Sequence, residues 1–510
     1  MAKKKGVKKN IANSLIPQLS LFGDLIHEKE DTEEQKAFIN YEDDKSIILS
    51  ATAGSGKTYS CVQRLKELLN RGVDPKRIIF FSFTKAATEE LQERVGNDEV
   101  KITTIHAFSL GLLSAMGKFK KISTFYDFLI WFKEKYKSHY SASSEKRHEF
   151  EKLINEMYEE AEQLASSISS FKLQMADGIK CNMPPIMIDY NKFMKETRSR
   201  DFSDMLIEVR NLLKEEKWLN MFKNKYDYIF IDEYQDTSTI QLQILLSLNA
   251  KHYYLVGDKF QSIFAFSNSN CDLIEEMLLE RRITDRLTLS TNFRSDINIV
   301  SNSNKYSDLK AVPSSKNEGV VHEFIMFEID KRDGQKIPCM IDILDKHNEV
   351  AVLVRTNAVI KKLEYEMLRR KYPMRYFNFI TEDDFKQFKS GKVSISLKRK
   401  LDSLKDVFRT ETDIFLHIEQ NKKSKKFITS IHKSKGREFE TCILVNSVSQ
   451  ELLNKIGLLD KLTKKQLNYI SFDPMGLEDM EPRNIHYVGV SRSKHQLYYM
   501  LYDWIKKENN

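Results

Sequence analysis

The 510-residue chain is too long for one hydrophobic core, and its 41% hydrophobic content is enough for several globular units. No stretch approaches the ~20 consecutive apolar residues of a membrane span, and the five scattered cysteines (Cys61, Cys181, Cys271, Cys339, Cys442) never fall in a CxxC spacing, which argues against disulfides, a zinc site or an iron–sulfur cluster. A formal charge of +8 suits a polyanionic partner and equally a lysine-rich solvated surface, so charge alone decides nothing.

Residues 1–30 read as a basic tail; no apolar run with a cleavage site follows MAKKKGVKK, so export is not expected and a cytoplasmic location is. "TEEQKAFINYEDD" then predicts a short helix and "KSIILS" a buried strand ending at a glycine-rich turn. "KRIIFFSFT", a helix from Ala86 to Arg94 and "VKITTIHAF" continue as strand, helix and strand at the spacing of a parallel sheet. From Ser109 to Arg200 the chain turns aromatic, charged and helix-periodic, which predicts a helical insertion. Strands return at "YDYIFIDE" and "HYYLVGD", and a second α/β set is expected from "RLTLSTNF" through "EVAVLVRTN", "FITSIH" and "TCILVNSV" to "HYVGVSR". The Lys-rich stretch from Lys386 to Lys426 is weakly periodic and reads as a small domain or a basic loop.

Chemistry concentrates in three places. "SATAGSGKTYS" lies between a strand and the helix "CVQRLKELL", the context in which a glycine loop cradles phosphate. Gly54 and Gly56 free the backbone N–H groups of Ala53–Thr58 to wrap phosphate oxygens, Lys57 reaches the outer phosphates, and the Thr58 hydroxyl is placed for Mg²⁺. In "YIFIDEYQD" the carboxylates Asp232 and Glu233 end an apolar strand, where a metal ligand and a water-activating base are needed; the bland alternative is an acidic strand cap. Arg294 in "TNFRS" and Arg492 in "GVSRSK" are candidate arginine fingers, although a lone arginine is more often a surface residue.

The ordered series "ATAGSGKT", "FSFTKAA", "TIHAF", "DFSDML", "DEYQDTS", "VGDKFQSIFAF", "LSTNFRS", "VLVRTN", "TSIHKSKGREFE" and "IHYVGVSRSK" resembles the motifs of UvrD/Rep-type superfamily 1A DNA helicases over residues 30–500. The resemblance implies an α/β fold of two RecA-like parallel-sheet domains that sandwich ATP and Mg²⁺, here 1A (31–108 and 201–275) and 2A (276–385 and 427–510), with a helical 1B insertion (109–200) and a reduced, basic 2B-like region (386–426). It implies roles that the residues alone do not give. Gln35 becomes the adenine-reading glutamine, otherwise a helix-surface residue. Gln261 becomes the γ-phosphate sensor, Glu438 stands near the ribose, and Phe293 stacks on adenine with Tyr59 in the place of an arginine. Phe83, His106, Phe264 and Phe266 match strand-touching positions, with Thr84, Arg355, Thr429 and His432 as phosphate or sugar contacts; taken singly, each aromatic reads as core and each histidine as a loop residue.

The implied activity is that of an ATP hydrolase translocating from 3′ to 5′ on single-stranded DNA and at single/double-strand junctions, in replication, recombination or repair. Two alternatives stand beside it: the ATPase subunit of a multi-protein nuclease or phage-defence system, and an ATP-gated adaptor that grips DNA without moving. The sequence departs from the family at Ser267, where an arginine is usual, and in the roughly seventy residues available for 2B. Within the tail, Gln18-Leu19-Ser20-Leu21-Phe22 resembles the peptide by which bacterial proteins dock on the sliding clamp, with Gln18, Leu19, Leu21 and Phe22 as anchors. The bland reading is a short helix packed on the protein's own first domain.

Overall fold

The computed structural model describes residues 30–42, 45–138, 143–263, 275–276, 284–330, 337–391, 393–470 and 480–502. Gln18 to Phe22, Phe264, Phe266 and Ser267 lie outside the described residues.

Two parallel sheets organise the chain. The first has six strands, β1 (Ser46–Ala51), β2 (Ile78–Phe81), β3 (Lys101–Thr103), β4 (Tyr228–Asp232), β5 (His252–Gly257) and β6 (Thr284–Leu289), in the order β3-β2-β4-β5-β1-β6. A two-residue parallel pair follows, β7 (Thr291–Asn292) with β8 (Val312–Pro313). The second sheet has five strands, β9 (Val320–Met326), β10 (Val350–Val354), β11 (Lys426–Ser430), β12 (Phe439–Val445) and β13 (Ser493–Met500), in the order β11-β10-β12-β13-β9.

Both sheets are apolar on both faces, the signature of parallel strands covered by helices on each side. Along β1, Ile47 and Leu49 enter one core with Phe80 and Phe230, while Ile48 enters the opposite core with Ile79 and Ile229. The second sheet repeats this: Val350, Val352 and Val354 face one core, Ala351 and Leu353 the other. The latter core also takes Ala53, Phe260 and Ile263 from the first half, so apolar packing crosses the seam between the sheets.

Two strand expectations are corrected. "RLTLS" does not open the second set: β6 pairs with β1 from Ser46↔Thr284 to Ala51↔Leu289, so the chain leaves the first sheet only after Leu289. "HYVGV" is not a strand but the last turns of helix Met480–Val490, and β13 begins at Ser493. The misreading has a physical source: the helix is buried on every side from Asn484 to Val490, so Tyr487, Val488 and Val490 form a short apolar run without helical periodicity that imitates a strand.

The insertion is helical among the described residues, with helices Phe125–Tyr136, Ser144–Glu159, Ala161–Ala176 and Met187–Thr197 around a core of Phe125, Phe128, Ile154, Ile168, Tyr190 and Phe193. The Lys-rich stretch forms neither a separate domain nor a loop. Its helices Glu382–Lys389, Ile395–Asp402 and Glu411–Gln420, with the turn after the second, send Leu397, Leu401, Leu404 and Phe415 into the core under β10 and β11, while Lys386, Lys389 and Lys398 stay exposed.

Candidate functional site

The phosphate loop begins where β1 ends. Gly54 and Gly56 sit at φ +73° and +78°, left-handed values that side-chain-bearing residues avoid, and helix Lys57–Asn70 starts on Gly56. Its backbone is held by the segment that leaves the first sheet: Thr52 N donates to Leu289 O at 3.0 Å, Phe293 N to Gly54 O at 2.9 Å, and Asn292 Nδ2 to Ala53 O at 2.7 Å. Ser55 Oγ closes the turn on Thr52 O at 2.8 Å. A Cβ placed on Gly54 would stand 2.6 Å from Arg294 Cβ, so the loop and the first candidate finger are in van der Waals contact.

Around Gly56 three expected base-site residues converge. Gln35 is buried, not a surface residue, and its Nε2 lies 3.1 Å from where a Gly56 Cβ would stand, with Phe293 and Tyr59 at 4.0 Å from the same point. Gln35 is fixed by a reciprocal capping box with Thr32 on helix Glu33–Ile39. That helix is tied to the crossing segment by Glu34, whose two oxygens accept from Ser290 N and Oγ at 2.7 Å. Tyr59 and Phe293 stay open to solvent, as ring faces reserved for a flat ligand must.

At the ends of β4 and β5 stand the acids. Burial and the charge of Glu233 push Asp232 up to about 7. Burial opposes ionisation of Glu233 as well, but Lys435 and Lys57 outweigh it and hold that carboxyl at about 2. The two share one environment and titrate as a pair. Asp236 is also pushed up to about 7 by burial, and its Oδ1 has no hydrogen-bond partner among the described residues. The backbone reflects the constraint: Glu233 has φ +52°.

The second half reaches into this cluster with cations. Lys435 Nζ, nine-tenths buried, pairs with Asp236, stands 3.5 Å from Glu233 Oε2 and donates to Gln261 O at 2.7 Å. Arg492 Nη2 donates to Gln261 Oε1 at 2.9 Å, while Gln261 Nε2 donates to Asp258 Oδ2 at 2.8 Å. Burial and Arg294 push the Arg492 guanidinium down to about 9, so it remains charged at neutral pH. Arg294 Nε donates to Glu438 Oε2 at 2.8 Å and its Nη1 to Ser491 O at 3.1 Å. Although burial opposes it, Arg294 and Lys494 hold the Glu438 carboxyl below its ordinary range.

These residues fit a nucleotide and its cation. The two left-handed glycines form a cradle that any Cβ would fill, and Asp232, which has no cationic ion-pair partner among the described residues, is a carboxylate that a dication would compensate. Among the described residues no three or more His, Cys, Asp or Glu are arranged to hold a metal ion by themselves, so such a cation would complete its shell with Thr58 and phosphate oxygens.

The expected nucleic-acid contacts stand at strand ends as well. Phe83 and Thr84 follow β2, Phe83 half exposed and Thr84 spending its hydroxyl on the N-terminus of helix Lys85–Val95. His106 opens helix Ile105–Ala115 and meets Phe202 edge to face at 5.3 Å. Arg355 follows β10, and His432 Nε2 lies 3.1 Å from Ile263 O. Thr429 departs from its expected role: it is 2% exposed within β11, in register with Leu353, and offers no side chain to a strand in this conformation.

Four contributors escape a reading of the sequence. Lys435 and Asp236 lie inside quoted motifs, but only the fold brings them together. Tyr487 OH donates to Asp258 Oδ2 at 3.1 Å across the seam. Phe202, half exposed, opens helix Phe202–Leu212 within "DFSDML", where an aromatic after a capping aspartate reads as core.

Residues 31–280 match the UvrD/REP helicase N-terminal domain. The chain is 25% identical over 486 residues to a probable DNA helicase II homolog of Mycoplasma capricolum subsp. capricolum, covering 89% of this chain and 63% of that protein. It is 26% identical to the ATP-dependent DNA helicase Rep of Buchnera aphidicola (67% of this chain, 54% of that one) and 25% identical to the ATP-dependent DNA helicase PcrA of Bacillus subtilis (64% and 47%). The chain thus spans about half to just under two thirds of the length of these relatives.

Proposed function

From the premise that this chain is UvrD-like, with the UvrD/REP helicase N-terminal domain over residues 31–280, we propose that it is an ATP-driven motor on single-stranded DNA, moving from 3′ towards 5′. The observation that carries the reading is the chain of contacts across the seam: Arg492 to Gln261 at 2.9 Å, Gln261 to Asp258, and Lys435 to Glu233 and Asp236. A site whose anionic half lies on one sheet and cationic half on the other hydrolyses ATP only when the halves close, and that closure moves the strand-binding surfaces relative to each other.

In the closed site the Gly54–Lys57 loop binds the phosphates, while Gln35, Tyr59 and Phe293 receive the base. Glu233, kept ionised by Lys435 and Lys57, serves as the base that orients the attacking water. Arg294 exchanges Glu438 for the transferred phosphoryl group, and Arg492 joins it through Gln261. Thr58 and Asp232 would hold Mg²⁺, which would supply neutralising charge to the phosphates.

The three short helices of 382–420 are absorbed into the second core and, among the described residues, form no freestanding module in that stretch to engage a duplex. Duplex opening is therefore expected to need a forked end or a partner. Two assays test the reading: ATPase activity stimulated by single-stranded DNA and abolished in Lys57→Ala, and fluorescence unwinding of a 3′-tailed duplex. Absent stimulation by DNA, or stimulated turnover surviving Lys57→Ala, refutes the motor; robust unaided processive unwinding refutes the dependence on help. The Gln18–Phe22 peptide adds a tether to a bacterial sliding clamp, which raises local DNA concentration through a short linker. Calorimetry with the intact chain and Leu21→Ala/Phe22→Ala tests it, equal binding by both or none by either rejecting the tether.

A further inference from the structure

The loop joining helix Ile105–Ala115 to helix Phe125–Tyr136 reads Gly117-Lys118-Phe119-Lys120-Lys121. Phe119 is 80% exposed, the most exposed large apolar side chain among the described residues, and Lys118, Lys120 and Lys121 around it are exposed as well. An aromatic standing in water is unremarkable on a frayed segment, but this loop is fixed at both ends. Gly117 at φ +70° terminates the preceding helix, with Lys118 N donating to Leu113 O at 2.8 Å. Beneath the loop lies Arg200, 2% exposed: its Nη2 donates to Lys118 O at 2.7 Å, its N to Lys121 O at 2.9 Å, and its Nη1 pairs with Glu208 at 2.8 Å. Ser123 N returns a bond to Arg200 O at 2.9 Å. A buried arginine, together with Ile122 packed on the first core and the buried Ser123, thus holds in place a loop whose residues Lys118 to Lys121 face solvent.

The loop also adjoins the surface on which a strand is expected. Arg200, bonded to Lys121, is two residues from Phe202, a span of at most about 7 Å, and Phe202 packs on His106. His106 and the lysine loop stand at opposite ends of helix Ile105–Ala115, about 16 Å apart at 1.5 Å per residue, and the segment Arg200–Phe202 links the two, bonded to the loop at Arg200 and packed on His106 at Phe202.

We propose that Lys118–Lys121 is a further contact for single-stranded DNA, in which Phe119 stacks on one base while Lys118 and Lys121 hold the flanking phosphates. Lys120 is partly spoken for by Glu208 at 3.8 Å. Stacking on a rigid exposed ring tolerates any base, and flanking ammonium groups supply the salt-dependent part of affinity, which is what a track without sequence preference requires. The assignment rests on the motor reading above and adds to it a residue outside the quoted motif series.

Fluorescence anisotropy of the full chain with a labelled oligothymidine, and with a blunt duplex of equal length, tests it. Phe119→Ala weakens single-strand binding at least about fivefold, the lower end for one stacked base, with an unchanged thermal midpoint, and Phe119→Trp restores it. Lys118→Ala/Lys121→Ala lowers the slope of log affinity against log salt by about 1.4. Equal single-strand affinity for wild type and Phe119→Ala overturns the contact while leaving the motor standing. A loss confined to the blunt duplex overturns the single-strand assignment. If the wild type binds no oligothymidine, the motor reading falls and the contact with it.

Discussion

The two sheets share one architecture and end in opposite chemistry. At the carboxyl ends of β4 and β5 stand Asp232, Glu233, Asp236 and Asp258, and burial raises three of these four carboxyls. From the second half come Lys435 after β11, Arg492 before β13, and Arg294, whose segment runs into helix Ile297–Ser303 packed on β9 and β13. The acids of the first half are costly to ionise by themselves and the cations of the second are costly to bury; each half supplies what the other lacks. That asymmetry explains why the seam is the site: neither half holds a complete set of charges for phosphoryl transfer.

The comparison breaks most severely at Arg492. Arg492→Ala is expected to lower kcat by about 10³-fold or more, the worth of an arginine finger, while affinity for a fluorescent nucleotide shifts far less. Arg492→Lys should recover little, because one ammonium cannot reach Gln261 and the Val488 and Arg437 carbonyls together. A variant that loses nucleotide binding and kcat in equal measure would make Arg492 a packing residue.

Lys435 tests the same division through stability. Lys435→Met leaves Asp236, 1% exposed at its side chain, without its buried counter-charge and should cost about 3 kcal/mol in urea denaturation. Adding Asp236→Asn should return most of that loss, since the penalty lies in the unpaired carboxylate. Additive losses in the double variant would mean that the pair does not bridge the halves.

Gly54 separates backbone strain from contact across the seam. Gly54 and Gly72 both have left-handed φ, +73° and +86°, but a Cβ on Gly54 meets Arg294 at 2.6 Å while one on Gly72 has nothing within 4 Å. Each alanine pays about 1 kcal/mol for its conformation, so the excess of Gly54→Ala over Gly72→Ala measures the seam contact alone, with an expected size of about 1–2 kcal/mol. Equal losses would show that the crossing segment yields freely.

How much of this was legible in advance follows from how local each feature is. The phosphate loop, the acid pair and the two arginines are written in short strings bounded by strands, and the fold brings all of them to one seam. Gln35 was legible only by resemblance, because a polar residue on a short helix gives no local sign of being buried. The pairing of β6 with β1 was not legible, because "RLTLS" resembles any strand and the choice of sheet is made by register 238 residues away. Thr429 misled for the opposite reason: its motif is local, but its burial is set by the neighbouring strand. Lys435 was invisible as a bridge because its partners Glu233 and Asp236 lie about two hundred residues upstream.

The last comparison sets a buried imidazole of the second half against buried carboxyls of the first, which respond to pH with opposite sign. His486, fully buried in helix Met480–Val490, is pushed down to about 3 by burial and by Arg355, with Nδ1 3.0 Å from Ser447 Oγ and its ring edge to face on Tyr306 at 4.7 Å. In the unfolded chain it titrates near 6.5, so between about pH 6.5 and 3 the unfolded state binds a proton that the folded state refuses, and stability falls as pH falls. The buried acids of the first half act oppositely: Asp236, raised to about 7, binds its proton more readily when folded and gains stability over the upper part of the same range. Asp232, also raised to about 7, adds to that gain, so between pH 7 and 5 the acids of the first half and His486 pull wild-type stability in opposite directions. His486→Leu removes one side of the balance, so the stability of the variant relative to wild type should rise by up to about 1.4 kcal/mol for each pH unit below 6. Parallel pH profiles for the two proteins would show that His486 takes up its proton as readily folded as unfolded and that acid does not destabilise the second half through it.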